Sequence, residues 1–196
     1  ETPHPQKILN NLIYIAMKKI LTVGLIILGL SACGSGYTAD RSYMTQEQKD
    51  QEQQELDEAF ERYDAATTDT DKTENLGSIG FHYMNLGNYD EAISYYKKVI
   101  KSDESNYAAL NNLEVMYEEM GDISKAIEYV GILYNYYTDN TEVNNDFVRL
   151  LIKNKQFEEA RRVVTALKSS EKIKTKADFI KSLEDLIESE SKKEQQ

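Results

Sequence analysis

The chain has 196 residues, with 23 Lys and Arg against 34 Asp and Glu and a formal net charge of −11. That acidity argues against a general affinity for nucleic acid or for anionic membrane surfaces, and the length allows one ordinary domain with appendages. A single cysteine, Cys33, excludes an internal disulfide and any cysteine-based metal cluster. Both prolines, Pro3 and Pro5, fall in the first five residues and tryptophan is absent, which leaves an acidic, mostly helical body behind an unusual N-terminus.

Residues 1–16, ETPHPQKILNNLIYIA, do not fit the pattern that starts at Met17. They are expected to be an upstream mistranslation or a fragment edge, outside the fold. Residues 17–32 read as a secretory signal: Lys18 and Lys19, an apolar run from Ile20 to Leu30, then small Ser31 and Ala32. The run is shorter than the ~20 apolar residues of a membrane span. Extending it backward would bury both lysines, at ~2.5–3.5 kcal/mol each near the bilayer centre. The tetrad Leu30-Ser31-Ala32-Cys33 resembles the lipobox of bacterial lipoproteins. The resemblance implies cleavage between Ala32 and Cys33, a diacylglyceryl group on the Cys33 thiol, and a chain held to a membrane by its lipid. Two or three acyl chains hold a protein stably where one does so only marginally. Gly34 stands where enteric lipoproteins retained at the inner membrane carry Asp. By that resemblance the chain belongs to the outer membrane, facing the periplasm, if the organism is Gram-negative. An ordinary secretory signal and a retained membrane anchor are the alternatives.

Residues 33–44 are Gly- and Ser-rich and aperiodic, the pattern of a flexible linker after the lipidated cysteine. The eleven residues after the cysteine, Gly34 to Met44, span on average about 5–6 Å × √11, or roughly 18 Å. An N-terminal helix follows over 45–66, opened by Thr45 and Gln48 in a capping-box spacing. No apolar side chain occurs from Thr45 to Glu55, whereas Leu56, Ala59, Phe60 and Tyr63 form one narrow face to dock. The segment ATTDTDKTEN (66–75) is expected to break the helix as a polar turn. Its Asp69-x-Asp71-x-Thr73 spacing lacks the Gly and Glu that a calcium loop needs.

Three stretches then superpose at a shift of 34: MNLGNYDEAISYYKKVI (84–100), EEMGDISKAIEYVGILY (118–134) and IKNKQFEEARRVVTAL (152–167). This period, with two amphipathic helices in each copy, resembles the tetratricopeptide repeat. The units are 73–106, 107–140 and 141–174. Gly80 and Ala126 take the close-approach places, with Leu76, Tyr83, Tyr96, Leu110, Leu113, Val130, Leu133, Val148, Leu151, Val164 and Leu167 filling around them. The copies also depart from the pattern. Glu104, Thr138 and Lys172 replace the closing proline, Lys155 stands in the third copy where Gly87 and Gly121 make the turns of the first two, and Asn144 replaces its first large residue. Glu114, where a small residue is expected, reads as reaching outward to water, with a specific groove contact as the alternative. Tyr96 and Tyr136 occupy core places; Tyr95, Tyr129, Tyr134 and Tyr137 read as core and rim, with an outward sticky patch as the alternative. Residues 175–191 carry Phe179, Ile180, Leu183, Leu186 and Ile187 on one stripe, as a C-terminal capping helix would, and 192–196 form a frayed tail.

The fold class expected is therefore all-α: an α-solenoid of about three repeat hairpins between N-terminal and C-terminal capping helices. The sequence has no phosphate-binding loop and no zinc spacing, so no cofactor, no metal and no enzyme activity are expected. Ser78 and His82 share one helix, four residues apart, and a hydrolase built on them is a remote alternative; a packed core or rim histidine is the plainer reading. The family resemblance implies a concave groove on the first helices for a protein or peptide partner. Its carried-over places are Phe81, Met84, Asn111, Asn112, Val115, Glu118, Asn145, Arg149 and Ile152. Amides such as Asn111, Asn112 and Asn145 can pair with a peptide backbone, and Phe81, Met84 and Val115 can seat an apolar side chain. The expected function is a membrane-anchored interaction scaffold of the bacterial cell envelope. A surface or ligand-binding lipoprotein whose repeats are only structural is the alternative.

Overall fold

A computed structural model describes residues 39–42, 44–170, 172–173 and 176–194. The signal sequence, the lipobox residues Ala32 and Cys33, and residues 1–16 lie outside the described residues. Eight helices occur among the described residues: α1 (Gln46–Ala65), α2 (Asp69–Asn85), α3 (Tyr89–Ser102), α4 (Tyr107–Glu119), α5 (Ile123–Tyr136), α6 (Thr141–Lys153), α7 (Phe157–Ser169) and α8 (Ala177–Glu194). All belong to one compact unit, Gly36–Gln196. Each helix packs on the next, α8 also touches α6, and α2 reaches α4. This succession of antiparallel pairs is an α-solenoid of the tetratricopeptide type. The second helices of the three hairpins begin at Tyr89, Ile123 and Phe157, in steps of 34 residues.

The turns inside the hairpins share one hydrogen-bond pattern. After α2, Gly87 N–H bonds Met84 O and Asn88 N–H bonds Tyr83 O; after α4, Gly121 and Asp122 do the same to Glu118 and Tyr117. These pairs satisfy the last carbonyls of a helix and require a left-handed residue, and both glycines adopt φ near +80°. The third turn keeps the pattern with Lys155 at φ 59°, its N–H on Ile152 O and the Gln156 N–H on Leu151 O. The missing glycine does not change the turn; it makes a lysine adopt a conformation costly for any residue with a Cβ.

The links between hairpins replace proline with side-chain bonds. Asp103 accepts from Ser105 N, Ser105 Oγ and Asn106 Nδ2, Asn106 caps α4 at Ala109, and the Tyr137 hydroxyl donates to Ser105 O at 2.6 Å. At the second link, Asn144 is wholly buried and its Nδ2 donates to Thr138 O at 3.0 Å. Its Oδ1 has no hydrogen-bond partner, so the amide in that large-residue place is only half satisfied.

Apolar burial divides into clusters. The front one joins α3, α4 and α5 through Tyr89, Tyr96, Leu110, Leu113, Met116 and Leu133 and reaches Val143 and Leu150 of α6. The back one joins α6, α7 and α8 through Val148, Leu151, Val164, Leu167, Leu183 and Ile187. A third, smaller, docks Leu56 and Ala59 of α1 on Ile79, with Phe60, Tyr83 and Tyr95 in mutual ring contact. Between α5 and α7 lies a cleft of about 1130 Å³ lined by Ile127, Gly131, Tyr134, Phe147, Phe157 and Arg161.

Several expectations are corrected. The polar turn after α1 is short: α2 begins at Asp69, because Thr68 caps it by accepting from Asp71 N, and Asp69 and Asp71 suit the positive end of a helix. The linker is not free over its last part. Ala39 N–H bonds Gly87 O at 2.9 Å, and Arg41 donates to Asn85 O, Met84 O and the Tyr89 hydroxyl, strapping residues 39–41 to the corner of the first hairpin. Tyr136 is half exposed, at 51 %, and Tyr129 is buried in its stead, stacked on Tyr117. The tail remains helical to Glu194, because Lys192 and Lys193 pair with Glu188 and Glu190 and Lys155 reaches Glu194. Glu114 points inward, as described below.

Candidate functional site

Helices α2 and α3 approach closely at a small residue. A Cβ at Gly80 would lie 3.2 Å from the Tyr96 ring, so the glycine admits that ring into the hairpin. Beside it opens a groove of about 370 Å³ lined by Thr73, Gly77, Phe81, Tyr96, Ala109 and Asn112. Phe81 is 44 % exposed, and Val115, one helical turn beyond Asn112, is 37 % exposed. Asn112 Nδ2 donates to the Tyr96 hydroxyl at 2.6 Å, which fixes the amide at the groove wall and leaves its carbonyl oxygen as an acceptor. Burial pushes the Tyr96 phenol up to about 12, so it remains a neutral hydroxyl.

Toward the third hairpin the same surface becomes ionic. Arg149 of α6 forks onto Glu118 of α4 at 2.5 and 2.8 Å, Lys153 joins the same carboxylate at 2.9 Å, and Asp146 lies 3.4 Å from Arg149. Hydrogen bonds from Arg149, followed by Lys153, hold Glu118 down at about 2. Glu114, one turn away, is only 3 % exposed; its Oε1 has no hydrogen-bond partner and stands 3.9 Å from Arg149. Burial, with the negative charges of Asp146 and Glu118, raises it to about 7. Glu114 therefore occupies the close-approach place without solvent, the reverse of an outward reach.

The carried-over groove residues thus separate by surroundings. Phe81 and Asn112 line one groove, with Val115 exposed on the same helix as Asn112. Asn111 is half-buried and Asn145 exposed. Glu118 and Arg149 are tied to each other, while Met84 and Ile152 are half-buried against the front and back clusters. Tyr96 and Ser78, also in the groove wall, were not among those places; packing of α3 behind α2, not position on a first helix, brings Tyr96 there.

Ser78 and His82 have different partners. Ser78 Oγ accepts from Arg62 at 3.4 Å, and His82 Nδ1 lies 2.9 Å from Glu52 Oε2. The acid beside His82 comes from α1, thirty residues earlier, a distance no local motif would reveal.

A family model, the tetratricopeptide repeat, matches residues 74–106, which hold most of α2 and all of α3. The second and third hairpins share its helix spacing and its turn hydrogen bonds. Tetratricopeptide repeats serve protein–protein interaction, and that general role is the one the match supports. No curated protein matches the chain. Among the described residues no helix is long and apolar enough to cross a membrane.

Proposed function

We propose that this chain is a lipid-anchored scaffold of the bacterial cell envelope that holds an extended protein segment against helices α2 and α4. The observation that carries the binding half is the groove itself: an exposed Phe81 beside the fixed amide of Asn112, an apolar seat next to a backbone-pairing group. Support for the anchoring half is the Leu30-Ser31-Ala32-Cys33 tetrad behind its basic and apolar run. On this reading Cys33 carries the lipid, the outer membrane facing the periplasm is its place in a Gram-negative cell, and the binding surface stays near the bilayer.

A photo-crosslinking residue placed at Phe81 or Val115 in living cells is expected to give the same adduct from both sites and none from Lys97, exposed on α3. Equal adducts from Lys97, or none at either groove position, would overturn the groove. For the anchor, Cys33→Ala is expected to move the chain from membrane to soluble fractions and abolish labelling by a palmitate analogue; unchanged labelling would remove the lipid from the reading.

A further inference from the structure

The first half of α1 poses a packing problem. From Gln46 to Glu55 it carries no apolar side chain, yet it runs as continuous helix beside α2. Its contacts with α2 converge on one imidazole: His82 Nδ1 lies 2.9 Å from Glu52 Oε2 and 3.8 Å from Glu55 Oε2. His82 is 7 % exposed, so this nitrogen is presented at the interface between the helices and not to bulk water. Glu52 is itself held, its other oxygen accepting from Asn85 Nδ2 at 3.1 Å.

We propose that Glu52, Glu55 and His82 bind a divalent transition-metal ion, with zinc the fitting member, and that the ion clasps α1 to the first repeat. The three donor atoms lie within 4.8 Å of one another. Donors bonded to zinc at about 2.0–2.2 Å in a tetrahedron stand about 3.3–3.5 Å apart, between the two separations seen here. Closing the set requires movement of Glu55, whose side chain is 42 % exposed and whose Oε1 accepts from Gln51 Nε2 at 2.9 Å, a bond on the same helix that shifts with it. One imidazole with two carboxylates selects zinc over magnesium or calcium, which prefer all-oxygen shells. Water entering past Glu55 completes the fourth position. Glu52 and Glu55 are three residues apart and so project from one face of α1. Asn85 supplies the outer-sphere bond that orients a ligating carboxylate.

In the metal-free geometry Nδ1–H donates to Glu52. On binding, the ring proton moves from Nδ1 to Nε2 by exchange with solvent and Nδ1 gives its lone pair to the ion, so the imidazole stays neutral and no other reactant is needed. Asn85 also links the site to the strap, because its carbonyl accepts from Arg41 Nε at 3.2 Å. The ion therefore ties α1 and the strap of residues 39–41 to the same corner of the first hairpin.

The test uses the full chain carrying His4→Gln and Cys33→Ala, which remove the other imidazole and the thiol, titrated with zinc alone by calorimetry. One equivalent is expected to bind with micromolar affinity and to raise the melting temperature. His82→Gln is expected to abolish binding, Glu55→Gln to weaken it at least tenfold, and Asn85→Ala to weaken it by about 10-fold. Cobalt is expected to give the intense visible bands of a tetrahedral site, lost in Glu55→Gln. Should His82→Gln fail to fold, Glu55→Gln decides, since that side chain is partly exposed and belongs to no apolar cluster. Zinc binding unchanged in Glu55→Gln, or no binding by the parent chain at 100-fold excess, would overturn the site.

Discussion

The first and third hairpins are built on one plan and settle it differently. In the first, Gly80 admits the Tyr96 ring between its helices and Gly87 supplies a left-handed turn against which Ala39 and Arg41 close. In the third, Lys155 takes the same turn under strain, Asn144 fills a large-residue place, and a cleft of about 1130 Å³ separates α5 from α7. Helix α6 stands between, giving Val143 and Leu150 to the front cluster and Val148 and Leu151 to the back one. The difference teaches that the repeat's hydrogen-bond frame tolerates a lysine at the turn and an amide at a core place.

The largest way to break the comparison lies in the front core. Leu113→Ala, at a wholly buried site, is expected to cost about 2–5 kcal/mol in urea unfolding, because its neighbours from three helices cannot collapse into the space. Next come the turns. Gly87→Ala is expected to cost about 2–3 kcal/mol, since φ is +81° and the new Cβ would lie 2.8 Å from Ala39 O, forcing the strap away. Gly121→Ala, at φ +80° with nothing within 4 Å, is expected to cost only about 1–2 kcal/mol. Equal losses at the two glycines would show that the strap adds nothing.

The junction between the second and third hairpins is sharpened by pH. The folded pKa of Glu114, about 7, exceeds its ordinary 4.5, so the folded state holds the proton more tightly than the unfolded chain. That contribution is present in full below pH 4.5 and is lost as pH rises through 7. Glu118, held at about 2, has the opposite sign: its contribution is present above 4.5 and is lost as pH falls toward 2. Glu114→Gln is therefore expected to stabilise the chain by about 1–3 kcal/mol at pH 8 and to be near neutral at pH 4. Denaturant midpoints at the two pH values measure it, and a gain that is equal at both would remove the buried charge from the account.

The smallest effect belongs to the third turn. Lys155→Gly is expected to gain about 0.5–1 kcal/mol by relieving the left-handed lysine, less the exposed pairing with Glu194. A loss in thermal melting would mean that the ion pair outweighs the backbone strain.

The sequence by itself determined the helices, their pairing and most of the core. A 34-residue period fixes which faces are apolar, and glycine at a turn fixes a backbone sign, so Gly87, Gly121, Tyr96, Leu113 and Leu151 were legible as patterns. It also marked Lys155 and Asn144 as departures, although not how each would be accommodated. What only the tertiary structure decided are the matters of charge and long reach. Glu114 and Glu118 are both glutamates on one helix, and only the packing of α6 makes one a buried, unpaired acid and the other a clamped anion. The strap of Arg41 on the first hairpin and the meeting of Glu52 and Glu55 with His82 join residues about thirty or more positions apart. Periodicity records which side of a helix is apolar. It does not record which polar atoms another helix will bring within three ångströms.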